Sequence, residues 1–418
     1  MEIRELTKSD YFINLEHEYG AHNYHPLPVV LDRGKGIFVW DVEGKKYFDF
    51  LSAYSSVNQG HCHPQIINAL INQAQKLTLT SRAFHNNLLG EYEKHITEYF
   101  HFDKVLPMNT GVEAVETAVK LARRWAYKIK GVEENKATIL FVEGNFHGRT
   151  LLAISASNDP DSNKQFGPLA PGILKIAYNN LQAIENEFST NKNIAGFLFE
   201  PIQGEAGVIV PDEGYLKGIR ELCTKYNVLM IADEIQTGLG RCGKMLACDY
   251  ENVRPDILIL GKALSGGTIP VSAVLADNEI MLTIQPGEHG STYGGNPLAC
   301  AVAIEALKIL EEEKLIENSF LMGNIFRERM LQIQSKSDLI TCVRGRGLFN
   351  AIVIKQFGEN KSAWDVCLAL KEEGLLAKQT HGDIIRFAPP LVINEKQIHE
   401  AADIIEKVIL EFNYKTIS

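Results

Sequence analysis

The sequence predicts an α/β protein with a large, doubly wound, mostly parallel sheet domain and a smaller α+β domain after it. Three observations carry this expectation. Short apolar runs of strand length alternate with helix-length amphipathic segments through residues 61–313. Two of the runs, Val228–Ala232 and Ile257–Leu260, are apolar at every position, as strands buried on both faces of a parallel sheet are. At 418 residues the chain also exceeds what one hydrophobic core usually holds. Residues 314–418 are read as the small domain, and residues 1–60 as an N-terminal segment packing against it.

Taken in order, the first sixty residues read as irregular apart from a hairpin, Ile37–Asp41 and Lys46–Phe50 around Val42–Lys45. In the central block the predicted strands are Val105–Met108, Thr138–Val142, Gly196–Phe199, Val228–Ala232, Ile257–Leu260 and Val271–Leu275. The predicted helices there are Pro64–Leu77, Val112–Lys128, Tyr215–Tyr226 and Pro297–Glu313. The C-terminal unit reads as strands Leu348–Ile354 and Ile384–Phe387 with a closing helix from Glu395 to Phe412. The polar stretch Gln334–Asp338 lies inside that unit.

Composition excludes several functions. A net charge of −10 does not suit a general nucleic-acid binder, which needs a basic face. The seven cysteines are scattered, odd in number and contain no CxxC pair, so reduced thiols are expected rather than a disulfide frame or a zinc site. No apolar run approaches the ~20 residues that span a membrane. Met1–Lys8 resembles neither a signal peptide nor a transit peptide, and a soluble cytoplasmic protein is expected, the alternative being a matrix enzyme without its transit peptide.

Two strand ends carry the strongest chemical signal. One apolar run ends in Asp233 and the other leads into Lys262. A charge in such a place is costly unless something pairs with it. A lysine and a carboxylate at two such strand ends suit pyridoxal phosphate, because lysine forms a Schiff base with its aldehyde and a carboxylate keeps its ring nitrogen protonated. A desolvated lysine loses basicity and becomes nucleophilic near neutrality. Gln236, three residues past Asp233, is placed to reach a ring hydroxyl, whereas Glu234 points away and is given a structural role.

Other strings support the same site. Asn109–Ala114 follows a strand and opens a helix, with Thr110 and Glu113 at capping-box spacing and Gly111 allowing close approach. Alone this is an ordinary capped helix; beside Lys262 and Asp233 it reads as a phosphate site on the free N–H groups of the first helical turn. In Gly144–Arg149, Phe146 can stack on a planar ring and Arg149 can clamp a carboxylate, the alternative being a turn with a core aromatic and a surface arginine. Arg386, flanked by apolar residues on a strand, needs an anionic partner if buried, and Glu205 is the candidate. Three strings are decoys. Gly238–Gly243 spells GxGxxG but precedes no convincing helix. His61-Cys62-His63 lacks further ligands at metal spacing, and Arg344–Gly347 is too short for a nucleic-acid patch.

With these residues in place, the chain resembles the fold-type-I, pyridoxal-phosphate-dependent class-III (omega) aminotransferases over nearly its whole length, from Tyr19–Pro28 to Ile384–Pro390. The most specific strings are Leu79–Phe84, Asn109–Ala114, Glu200–Gly207, Asp233–Gly238, Gly261–Gly267 and Gly290–Asn296. The resemblance implies Lys262 as the Schiff-base lysine and proton-moving base, Asp233 on the ring nitrogen, Gln236 on the phenolic oxygen and Phe146 on the ring face. It implies phosphate contacts from Gly111 and Val112, and from Ser291 and Thr292 of a second subunit, making a homodimer the smallest catalytic unit.

The contexts of Tyr24, Tyr54 and Glu205 resemble the members that act on ornithine. That branch implies transfer of the δ-amino group of L-ornithine to 2-oxoglutarate, giving glutamate 5-semialdehyde, which cyclises to pyrroline-5-carboxylate. Arg149 would bind the remote carboxylate, Tyr24 and Tyr54 would position ornithine, and Arg386 would bind the 2-oxoglutarate α-carboxylate. Glu205 would neutralise Arg386 while ornithine reacts. One departure is His147, where mammalian-like members carry tryptophan; substrate affinity or ring stacking can differ there, while the chemistry is not expected to depend on it. The rival readings are an omega-aminotransferase for acetylornithine, 4-aminobutyrate or lysine, a racemase or decarboxylase on the same fold, and a non-catalytic binder.

Overall fold

The computed structural model describes residues 7–356 and 362–412. Its centre is a seven-stranded sheet. The strands are β4 (Lys104–Met108), β5 (Thr138–Val142), β6 (Ile173–Ile176), β7 (Ile194–Phe199), β8 (Leu229–Asp233), β9 (Ile257–Leu260) and β10 (Ser272–Ala276), in the order β4-β10-β9-β8-β7-β5-β6. The run from β9 to β6 is parallel, and β10 is antiparallel to both its neighbours. Every residue of β7, β8, β9 and β10 is buried, which accounts for sequences with no polar alternation. The helix Gly111–Trp125 covers one face with Val115, Ala118, Leu121 and Ala122, and Tyr215–Tyr226 covers the other with Leu216, Ile219 and Cys223.

Two smaller sheets complete the fold. One runs β1 (Leu31–Lys35), β2 (Phe38–Asp41), β3 (Lys46–Asp49) and β13 (Leu375–Leu376). The other runs β11 (Ile340–Arg346), β12 (Phe349–Ile354), β15 (Ile384–Phe387) and β14 (Lys378–Thr380). The N-terminal hairpin is thus extended by a strand from the far end of the chain, Leu375 pairing with Phe48 in parallel.

The predicted helices and strands are present with ends shifted by a few residues; Val112–Lys128, for instance, is an α-helix to Trp125 that continues as a π-turn over Ala126–Lys130. Three expectations need correction. The first sixty residues hold a helix, Lys8–Tyr19, and a third strand, β1. Sheet edge β6 carries Lys175, which broke its apolar run. Among its described residues the C-terminal unit contains five strands, four in one sheet and β13 in the sheet of the N-terminal hairpin, and the helix Leu315–Lys336, whose end takes in Gln334–Lys336. Among the described residues no helix is long and apolar enough to cross a membrane.

Ser52–Ser55 is the most unusual backbone. All four residues have positive φ, between 48° and 70°. A left-handed turn of L-residues costs about 1–2 kcal/mol per residue, and the surroundings must hold it. On one side the Asp49 carboxylate accepts the N–H groups of Leu51 and Ser52 at 2.9 and 2.8 Å. On the other, Asn58 is bonded to the Arg241 guanidinium at 2.5 Å and donates to the Leu239 carbonyl at 2.9 Å. Arg241 is fully buried and also donates to the carbonyls of Leu348 and Pro389, tying the N-terminal segment to both other parts of the chain. Burial pulls its guanidinium down to about 9.

Candidate active site

The carboxyl ends of β4, β5, β7, β8 and β9 lie along one edge of the large sheet, where open α/β sheets bind their ligands. Lys262 stands two residues past β9, behind Gly261, in a left-handed conformation (φ 46°). Such backbone is rare for a residue with a side chain and clusters at functional sites. Lys262 lines a cavity of 180 Å³ with Asp233, Gln236, Phe146, Val112 and Glu200. Burial draws its amine down to about 8, against the raising influence of Glu205, Asp233 and Glu200 and with Arg386 lowering it further.

Asp233, 4% exposed, closes β8. One of its oxygens accepts the Ile235 N–H at 3.1 Å, and the other is 2.7 Å from His147 Nδ1. This last contact is the residue that sequence reasoning missed. The sequence ties His147 only to ring stacking or substrate affinity; in the fold it is buried and holds the carboxylate. The signal for it was its place in the loop after β5, two strands away from Asp233 in the sheet. Glu200, one residue past β7, accepts the N–H groups of Phe146 and Gly204 at 2.9 and 3.0 Å, and burial pushes its carboxyl up to about 7. Glu234 is structural as expected. Its carboxylate accepts from Thr237 and from the Ala247 and Cys248 N–H groups, well away from the cavity.

The helix Gly111–Trp125 starts with the expected capping box. Thr110 Oγ1 accepts from Glu113 N–H, and the Glu113 carboxylate accepts the N–H groups of Asn109 and Thr110. The cap leaves the Gly111 and Val112 N–H groups without an acceptor among the described residues. Gly148 (φ 122°) lets the loop after β5 pack here, since a Cβ would stand 2.4 Å from Val112 Cγ2. Thus one end of the cavity suits an anion, Asp233 suits a protonated ring nitrogen, and Lys262 suits a carbonyl carbon.

The outer part of the site is cationic but covered. Arg386, 3% exposed, is 3.0 Å from Glu205 and donates to Gln236 Oε1 at 3.2 Å. Gln236 therefore spends its oxygen on Arg386, a contact the sequence did not suggest. The Tyr54 ring lies 5.2 Å from the Arg386 guanidinium, and burial raises the Tyr54 phenol above its ordinary value, as does the Glu205 charge. Arg149 stands 5.4 Å from the Phe146 ring. Arg149, Phe146 and Glu205 line a vestibule of 660 Å³ beside the cavity.

Two expectations look different here. Tyr24 is 76% exposed and makes no hydrogen bond among the described residues; its tie to the site is its electrostatic influence on Tyr54. Ser291 accepts from Asn109 Nδ2 of its own chain at 2.9 Å, and Thr292 is exposed, so neither lines the Lys262 cavity within one chain. The decoys have structural explanations. His61 pairs with Asp49 at 2.7 Å, His63 pairs with Glu313 at 2.9 Å, and Gly238–Gly243 is the turn that carries Arg241.

The family model described as aminotransferase class-III matches residues 19–409. The chain belongs to the class-III aminotransferases. Among curated members, the mitochondrial ornithine aminotransferase of Rattus norvegicus is 64% identical over 404 residues, covering 97% of this chain and 91% of its own. A probable mitochondrial ornithine aminotransferase of Caenorhabditis elegans is 62% identical over 409 residues, covering 98% and 95%. Two solved structures of the family superpose closely. An acetylornithine aminotransferase from Elizabethkingia anophelis is 60% identical with a TM-score of 0.90, covering 97% of this chain and all of its own. The ornithine aminotransferase of Toxoplasma gondii, described with partial occupancy of PLP at its active site, is 46% identical with a TM-score of 0.95, covering 97% and 95%.

Proposed function

We propose that this protein is an ornithine 5-aminotransferase using pyridoxal phosphate and 2-oxoglutarate. The observation that carries the reading is the pair of arginines, one covered and one open. Arg386 is neutralised by Glu205 at 3.0 Å, while Arg149 faces the vestibule. A substrate with no carboxylate beside its reacting carbon, but with one at its far end, fits that arrangement, and L-ornithine presenting its δ-amine is such a molecule. An α-amino acid would need Arg386 uncovered, which disfavours the wrong amine.

Bound pyridoxal phosphate would supply an aldehyde for amine exchange and a protonated ring that draws electrons from the substrate carbon. Gly111 and Val112 would hold its phosphate, Asp233 its ring nitrogen, Phe146 its ring face and Gln236 its phenolic oxygen. His147 holds Asp233 in place at 2.7 Å and offers it a hydrogen bond. Lys262 would hold the cofactor through its amine, which burial draws down to about 8, and that amine would serve as the base that moves the proton at the substrate carbon. Arg149 would bind the remote carboxylate of ornithine, and Tyr54 and Tyr24 would position the substrate. For the return half-reaction Glu205 swings away, and Arg386 receives the α-carboxylate of 2-oxoglutarate. Ser291 and Thr292 would complete the phosphate site of a second copy in a homodimer, a reading supported by the exposure of Thr292 and of the neighbouring Tyr293.

The test is the absorbance of the holoenzyme. L-ornithine should bleach the cofactor band, 2-oxoglutarate should restore it, and pyrroline-5-carboxylate should accumulate. A band that ornithine leaves unchanged refutes the substrate. The Elizabethkingia structure makes N-acetylornithine the second reading. A higher kcat/KM for N-acetylornithine than for ornithine in the same assay would decide for it.

A further inference from the structure

The Glu205 turn lies across one face of the small sheet, and the register of that sheet determines what it meets there. Arg344 pairs with Ala351, Ala351 with Arg386, and Arg386 with Lys378, so Arg344 and Arg386 stand in one cross-strand row. Thr380 is two residues from Lys378 and pairs with Ile384, which is two residues from Arg386. Side chains repeat every two residues along a strand, so Thr380, Ile384, Arg386 and Arg344 all share that face.

Each makes a specific contact with the turn. Thr380 Oγ1 donates to the Glu205 carbonyl at 2.8 Å. Arg344 Nε donates to the Gly207 carbonyl at 2.7 Å. Ile384 packs against Gly207, where a Cβ would stand 2.5 Å from Ile384 Cδ1 and where φ is 98°. From the other side the Glu200 carboxylate accepts the Gly204 N–H at 3.0 Å, and Gln203 and Ile209 exchange backbone hydrogen bonds. The backbone on both sides of Glu205 is therefore held, and only its side chain is left to move.

We propose that Thr380 and Arg344 are positioning residues that set how firmly Glu205 covers Arg386, and so help decide which carboxylate-bearing substrate gains access to it. The inference rests on the reading of Glu205 as the cover of Arg386. Arg344 does not line the vestibule, and Thr380, which does, spends its hydroxyl on the Glu205 carbonyl; each acts through the backbone that presents the Glu205 carboxylate. Because both lie on the sheet that carries Arg386, cover and guanidinium stay in register, and uncovering is a rotation of the Glu205 side chain. Loosening either anchor gives that side chain more ways to be off Arg386.

The experiment titrates the holoenzyme with glutarate, a dicarboxylate with no amine or ketone to react, by calorimetry. Single-turnover rates with L-glutamate and L-ornithine are read alongside. Thr380→Val removes the hydroxyl at nearly constant shape; losing one hydrogen bond of ordinary strength should tighten glutarate about three- to tenfold. The ratio of the L-glutamate rate to the L-ornithine rate should rise in step. Thr380→Ser keeps the donor and should behave as the parent protein. Arg344→Met tests the second anchor independently if Thr380→Val folds poorly. A merely structural role would lower the melting temperature and leave the glutarate affinity and the rate ratio unmoved, which overturns the proposal. Glu205→Ala is the control. If it fails to tighten glutarate, the cover reading itself falls; if it tightens glutarate while both anchor variants do not, only the anchor proposal falls.

Discussion

Replacing Lys262 with methionine should stabilise the cofactor-free protein at neutral pH while abolishing turnover. Burial lowers the Lys262 amine from an ordinary 10.5 to about 8. A lowered lysine value means that the native state binds the proton less readily than the unfolded chain does. The penalty is therefore fully present below pH 8, fades as pH rises from 8 to 10.5, and is gone above that. The whole shift corresponds to a ceiling of about 3.5 kcal/mol at ~1.4 kcal/mol per pH unit. Lys262 keeps some access to cavity water, which screens part of this, and about 2 kcal/mol is the expected gain. For a chain of 418 residues this amounts to a rise of about 2–3 °C in melting temperature. Calorimetry of the parent protein and Lys262→Met, both freed of cofactor, would be run at pH 7 and at pH 10. The gap should be largest at pH 7 and shrink towards pH 10. A gap independent of pH, or a variant less stable than the parent at pH 7, would refute the desolvation argument for a nucleophilic lysine.

Three further perturbations test other parts of the molecule. His147→Phe removes the partner of Asp233; a hydrogen bond to a charged group contributes about 1.5–3 kcal/mol, so cofactor affinity by equilibrium dialysis should fall at least tenfold, and a change under about twofold would deny His147 its role. Arg241→Leu leaves Asn58 and two carbonyls without a donor in a buried place, at about 1–3 kcal/mol each, so denaturant titration should show a loss of at least about 3 kcal/mol; near-parent stability would contradict it. Ala53→Gly relieves a left-handed penalty of about 1–2 kcal/mol at an entropic cost of about 0.5–1 kcal/mol. Its melting temperature should rise slightly, and a fall would show that the turn is not strained.

What the sequence revealed followed physical locality. β8 and β9 were legible because strands buried on both faces have no polar alternation, and the ionisable groups at their ends stood out against it. The capping box at Thr110 and Glu113 was legible because its spacing is local. The helix Lys8–Tyr19 escaped because it buries no residue and so has no apolar stripe, although Thr7 and Asp10 spell its capping box. Leu315–Lys336 carried a readable stripe in Leu315, Met322, Phe326, Met330 and Ile333, interrupted by Ser319 and Gly323, which face the same side. In the site, Lys262 and Asp233 could be nominated one at a time. The bonds from His147 to Asp233, Arg386 to Gln236 and Thr380 to Glu205 join residues 86, 150 and 175 positions apart, and no pattern along the chain encodes them.

The parallel pairing of β3 with β13 bears on how the molecule comes into being. Phe48 leaves the ribosome long before Leu375 exists to pair with it. At about 5–20 residues per second the wait for those roughly 330 residues is on the order of 20–60 s. Throughout that interval the edge of the N-terminal hairpin lacks the neighbour that finally covers it, and an unpaired edge invites pairing with another chain. Arg386 is translated later still, so the nascent large domain can be complete while the site lacks the arginine assigned to 2-oxoglutarate. Newly made chains thus pass through a period in which the stability of the finished protein does not yet protect that edge from pairing with another chain.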